Sequence, residues 1–152
     1  MNTRITQERR DKLQAIMKTI TASVTAMMLL LSGFTVKDRD LLAEVIYHEN
    51  WNTDKDHEAA FLTGIVVKNR IYRDDKWLHL KGERTVYDVV YAKGQYSTTR
   101  KFFTKEIPEE CKEMATKILL FNYDVPKDLI FQATFRQGKV YKVINGEYFC
   151  YG

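Results

Sequence analysis

The sequence predicts an α+β domain, with helices first and a small antiparallel sheet last. Two observations carry this. Apolar residues recur at three- and four-residue spacing from about residue 38 to residue 121. The period then changes, and LIFQATF, KVYKVI and EYFCY are short β-rich runs separated by turn residues. Helices and strands grouped in blocks, rather than alternating, are the mark of the α+β class. A chain of 152 residues holds one such domain with enough apolar content for a core.

Residues 1–36 differ from the rest. A basic stretch, TRITQERRDKLQAIMK, precedes the apolar run ITASVTAMMLLL from Ile20 to Leu31, and Ser32 and Gly33 follow. That order matches a secretory signal, although no A-x-A cleavage pattern is present. An uncleaved membrane anchor over residues 16–36 is the second reading, and a cytosolic amphipathic helix the third; Lys18 keeps the run below the ~20 residues a span prefers. Residues 37–152 form the main domain.

The first helix of that domain is expected from about Asp38 to His48. WNTDKD is a polar turn, and a second helix follows from about Glu58 to Tyr72. Its stripe of Leu62, Ile65 and Val66 continues to Asn69, which places a polar amide on a buried face that must supply its hydrogen-bond partners. Asn69 then either braces the loop after the first helix or ties two helices together. RDDKWLHLKGER reads as a polar loop. Thr85-x-x-Asp88 resembles a capping box that opens a short helix through Val86, Val89 and Val90. Lys93 to Ser97 reads as a turn into an extended segment. Pro108, with Glu109 and Glu110 behind it, starts a helix that reaches about Phe121. Arg136 to Lys139 and Asn145-Gly146 are the turns between the strands, and Asn-Gly is a strong hairpin signal.

The net charge of +4 gathers at the N-terminus. Residues 1–38 carry six cations against three anions, leaving +1 for the remainder. No strongly basic face is expected on the main domain, which argues against nucleic acid as its partner. Cys111 and Cys150 show no metal-ligand spacing. Cys111 shares a helical stripe with Met114, Ala115 and Ile118, so a buried thiol is its default reading. Export would also permit a Cys111–Cys150 disulfide. His48, His57 and His79 lack the spacing of a zinc site. No metal or organic cofactor is expected. Nine Tyr, eight Phe and two Trp suit either a core or a carbohydrate cleft.

Glu49 is the residue that points to chemistry. It lies three, four and seven residues beyond Ile46, Val45 and Leu42, on the face its helix should bury, near the C-terminal end. Burial and the negative end of the helix dipole both favour the protonated carboxyl, the form a general acid needs. The bland alternative is a boundary Glu whose tip reaches water.

Four blocks occur in order: LLAEVIYHEN, GIVVKNRI, TVYDVVYAKGQYS and a tail ending VINGEYFCYG. Together they resemble the SleB-type cell wall hydrolase family over about residues 39–152. The strongest block, Val86 to Ser97, is similar to the family's Val-Ile…Pro-Gly-Gln-Phe-Ser segment. The resemblance implies a lysozyme-like α+β fold with a catalytic Glu at the end of the first domain helix, here Glu49. It implies that Gln95 and Ser97 line a glycan cleft, with Tyr96 where the family usually has Phe and Asn69 as a bracing residue. Trp51 is either a stacking surface for a sugar or a plug for its turn, and Trp77 is a further packing candidate.

Two departures stand out. The family's Glu-Ala-Arg-Gly-Glu reads Glu49-Asn50-Trp51-Asn52-Thr53 here, which loses the second acid. The tail has Glu147 where the family has His. The implied activity is cleavage of the MurNAc–GlcNAc backbone of peptidoglycan, by a lytic transglycosylase using one catalytic Glu. Ordinary hydrolysis would need a second carboxylate, for which Asp54, Asp56 and Glu58 are candidates that more readily cap the second helix. The alternatives are a peptidoglycan amidase and a non-catalytic wall-binding or structural phage component. The implied setting is the cell wall or the outer membrane face, in spore germination, vegetative remodelling or phage lysis.

Overall fold

The computed structural model describes residues 2–76, 78, 82, 84–96 and 106–152, with side chains from Gln7 onward. Among them are five helices: α1 (Asn2–Leu31), α2 (Val36–Asn50), α3 (Glu58–Ile71), α4 (Val86–Val90) and α5 (Glu109–Leu120). Three strands follow: β1 (Leu129–Ala133), β2 (Val140–Ile144) and β3 (Glu147–Tyr151). The sheet is antiparallel in the order β1-β3-β2. This is the α+β arrangement that the change of period anticipates.

Local signals set most boundaries. Thr35 accepts from the Asp38 backbone N–H at 3.1 Å, and Asp38 Oδ2 accepts from the Thr35 N–H at 2.8 Å. That reciprocal pair starts α2. Thr85 and Asp88 repeat it at 3.2 and 2.8 Å and start α4, as their spacing predicts. Pro108 is the N-cap of α5, one position earlier than the usual first-turn proline. Asn145 (φ 48°) and Gly146 (φ 88°) both take the left-handed conformation that a two-residue hairpin requires.

α3 is the central element. One side packs with α2, α4 and α5 in a core that contains Leu42, Val45, Ile46, Ile65, Val89 and Ile118. Its other side sets Ala59, Leu62 and Val66 against Leu129, Ile144 and Phe149 of the sheet. Gly64 sits where α3 meets α5; an added Cβ would collide with the Ile118 side chain and press on Ile46 Cδ1 at 3.1 Å. The thiols of Cys111 and Cys150 are buried and free, so the disulfide alternative is not formed. Burial pushes the Cys111 thiol up to about 12, with the Glu110 charge adding to it.

Residues 2–31 are one continuous helix, and Gln7–Leu31 is long and apolar enough to cross a membrane. Its last turn belongs to the domain. Leu29 is fully buried in the main core and Phe34 nearly so, with the Phe34 N–H bonded to the Leu29 carbonyl at 2.9 Å. Ile16, Met17, Ile20, Val24 and Met27 are exposed.

Candidate active site

Glu49 occupies the last turn of α2 and is half-buried. Leu42, Val45 and Ile46 are fully buried as expected, but the buried residue that ends their stripe is Asn50, at 3% exposure. The difference is one of phase. A 3.6-residue period carries the face from Ala43 and Ile46 to Asn50, and Glu49 falls on its edge.

Asn50 has polar work to do in that position. Its Nδ2 donates to Thr63 Oγ1 of α3 at 2.8 Å, and its Oδ1 accepts from Thr53 Oγ1 at 2.7 Å. Thr63 in turn donates to the Ala59 carbonyl at 2.9 Å. The Asn50 amide also acts on the ionisation of the Glu147 carboxyl. Asn145, at the tip of the β2–β3 hairpin, donates to the Thr53 carbonyl at 2.6 Å. The hairpin tip is thus pinned to the turn that follows Glu49, and Glu147, the first residue of β3, is brought to the end of α2.

Burial pushes the Glu147 carboxyl above the usual carboxylate range, and the negative charge of Glu49 adds to the shift; the Asn50 bond opposes both. Two acids from distant parts of the chain therefore share one electrostatic neighbourhood. Of the three acids named as candidates for a second carboxylate, Asp56 is exposed and the other two do other things. Asp54 accepts from the backbone N–H groups of Glu58 (2.8 Å) and Ala59 (2.9 Å), which caps α3. Glu58 pairs with Lys142 of β2 at 2.5 Å.

Arg70 organises the opposite wall. It is 2% exposed, and its Nε donates to the Ile130 carbonyl of β1 at 2.7 Å. Its Nη1 donates to Gln95 Oε1 at 3.0 Å and to the Tyr96 hydroxyl at 2.9 Å, with the guanidinium carbon 5.3 Å from the Tyr96 ring centre. Tyr96 is 7% exposed and holds φ at 44°, a left-handed conformation that costs a non-glycine residue about 1–2 kcal/mol. Burial raises the Tyr96 phenol above its ordinary value; Arg70 pulls it down, and the Glu49 and Glu147 charges push it up. Tyr96 therefore feels the charges of Arg70 and of the two acids. It is a buried strut beneath the site and presents no open ring face for a sugar. Gln95 is half-buried, and its carbonyl oxygen faces Arg70.

Asn69 and Trp51 are placed elsewhere. Asn69 is half-buried, and its Nδ2 donates to the carbonyls of Pro126 and Leu129 at 3.0 Å each. It ties α3 to the entry of β1 and lines a separate cavity of about 470 Å³ with Tyr72 and Tyr123. The polar residue buried at the end of α3 is Arg70, one position later. Trp51 stacks on His57, with ring centres 3.8 Å apart and planes 8° from parallel, while His57 Nδ1 donates to the Trp51 carbonyl at 2.7 Å. One face of the indole is covered by His57. Ser97, Trp77 and His79 lie outside the described residues.

Arg70, Asn50 and Glu147 are the site residues that spacing alone did not single out. Arg70 carried a weak signal, three and four residues beyond the apolar Val67 and Val66. Asn50 carried only its position after Glu49. Comparison of the chain with family models, with curated proteins and with solved structures finds no match.

Proposed function

We propose that this chain cleaves the glycan backbone of peptidoglycan between N-acetylmuramic acid and N-acetylglucosamine, on a lysozyme-like scaffold. Glu49 is the general acid that protonates the glycosidic oxygen, and Gln95 holds a sugar amide or hydroxyl through its side chain. The observation that carries this reading is that the charge of Glu49 reaches Tyr96, whose segment with Gln95 is bound by Arg70. These residues come from three of the four sequence blocks that carry the resemblance to cell wall hydrolases. In the one-acid form of the reaction, the muramic 6-hydroxyl attacks its own anomeric carbon and the enzyme is a lytic transglycosylase.

The same proposal places the domain on the outer face of a membrane, held there by a retained α1. Burial of Leu29 and Phe34 in the main core supports retention, because cleavage near Gly33 would remove Leu29 from that core. Arg9, Arg10 and Lys12 ahead of the apolar run favour a cytoplasmic N-terminus.

The experiment is incubation of the full chain with purified peptidoglycan, beside Glu49→Gln, followed by mass spectrometry of soluble products. Release of glycan fragments should fall about 10²–10⁴-fold in the variant, with an unchanged circular dichroism spectrum. Equal release by the variant, or release of free stem peptides alone, would overturn the reading.

A further inference from the structure

We propose that the cavity at the end of α3 is a second binding site, and that it takes a short carboxylate-bearing peptide such as the peptide stems of the wall. The choice of wall peptide rests on the glycosidase reading; the cavity and its chemistry do not.

At about 470 Å³ the cavity has the size of a small-ligand site. Tyr72, Phe121 and Tyr123 line it, and all three rings are exposed. Phe61 holds the Tyr123 ring edge-on, with ring centres 4.9 Å apart. Exposed rings gathered at one opening are the mark of a docking surface rather than of a core. The charge around them is one-sided: Lys68, Arg73 and Lys127 line the cavity against a single acid, Asp128. Lys68 Nζ donates to the Ile118 and Phe121 carbonyls at the end of α5, at 2.7 and 2.8 Å. Those acceptors fix the ammonium in the wall without a full counter-charge, and one of its three N–H groups is left over. Burial pulls Lys68 below its ordinary value, so the cation gains from an anion beside it.

Asn69 supplies the complement. Its Nδ2 is taken up by the Pro126 and Leu129 carbonyls. Its Oδ1 has no partner among the described residues and is left to accept from a peptide N–H. Cations for a carboxylate, an amide oxygen for an N–H and rings for apolar groups together match a short acidic peptide. The cavity also shares an anchor with the candidate active site. Asn69 and Arg70, consecutive on α3, bond the consecutive carbonyls of Leu129 and Ile130.

The test is calorimetric titration of the full chain with N-acetylmuramyl-L-alanyl-D-isoglutamine, with its amide lacking the free carboxylate, and with chitotriose. The carboxylate form should bind more tightly than the other two. Lys127→Glu and Tyr72→Ala, both at exposed positions, should each weaken that binding about two- to tenfold, with an unchanged circular dichroism spectrum. Equal binding of the amide or of chitotriose, no binding of the carboxylate form, or wild-type affinity in both variants would overturn the inference. Release of glycan from peptidoglycan, measured on the same preparation, separates the two readings. Release without binding would overturn this inference and leave the glycosidase standing. Binding without release would overturn the glycosidase reading and leave the cavity as a peptide site.

Discussion

Asp88 and Glu147 each sit beside a turn, and their surroundings move them in opposite directions. The backbone and side chain of Thr85 bond the Asp88 carboxylate, with Arg84 nearby, and hold it below the usual range. Glu147 is half-buried against the charge of Glu49 and is pushed above that range. The α4 cap satisfies its acid locally and draws stability from it. The hairpin tip holds an acid whose ionised form is opposed, and folding alone gives no reason to keep it there. Strain of that kind gathers where a protein does chemistry. The left-handed Tyr96 in the same neighbourhood belongs to the same pattern.

The largest test of this contrast is at Arg70. Arg70→Lys cannot reach the Ile130 carbonyl, Gln95 and Tyr96 at once, and it leaves buried acceptors unpaired. The expected cost is about 1–3 kcal/mol in urea unfolding, with glycan release falling further than stability explains. Unchanged release would remove Arg70 from the site. Next is Asp88→Ala, which should cost about 1 kcal/mol through the loss of the cap and leave activity per folded molecule unchanged. Because Asp88 is depressed in the fold, its contribution is present above the ordinary Asp range and fades as pH falls through the folded value. The difference between wild type and variant should therefore shrink in acid.

The smallest effect has the opposite sign. Glu147 is raised in the fold, so the native state binds its proton more tightly than the unfolded chain does. Stability is then lost as pH rises through the ordinary carboxylate range towards the folded value. Glu147→Gln should accordingly melt a few degrees higher than wild type at neutral pH and with little difference at pH 3. A variant less stable than wild type at neutral pH would show that the Asn50 bond outweighs the burial, and that the contrast with Asp88 is false.

Legibility followed distance along the chain. The Thr85–Asp88 capping box, the span of α3, the reach of α5 and the Asn145-Gly146 turn depend on residues within about four positions of one another, and the sequence by itself determined them; the Thr35–Asp38 box is as local but was not read, and α2 starts at Val36 rather than Asp38. Backbone geometry makes such contacts the same in any fold. Glu49 was legible as the end of an apolar stripe. The finer phase was not, because a shift of one position decides between Glu49 and Asn50, and between Asn69 and Arg70. What lies across the helix settles that choice: Thr63 receives Asn50, and the Ile130 carbonyl receives Arg70.

Tertiary structure alone decided the rest. That β3 lies between β1 and β2, that the hairpin tip rests on the turn after Glu49, and that Glu147 feels the charge of Glu49 all follow from packing the sheet against Ala59, Leu62 and Val66 of α3. The physical reason is that a residue's charge and burial depend on what the fold sets beside it. For Glu147 those neighbours, Glu49 and Asn50, lie almost a hundred residues away in the sequence.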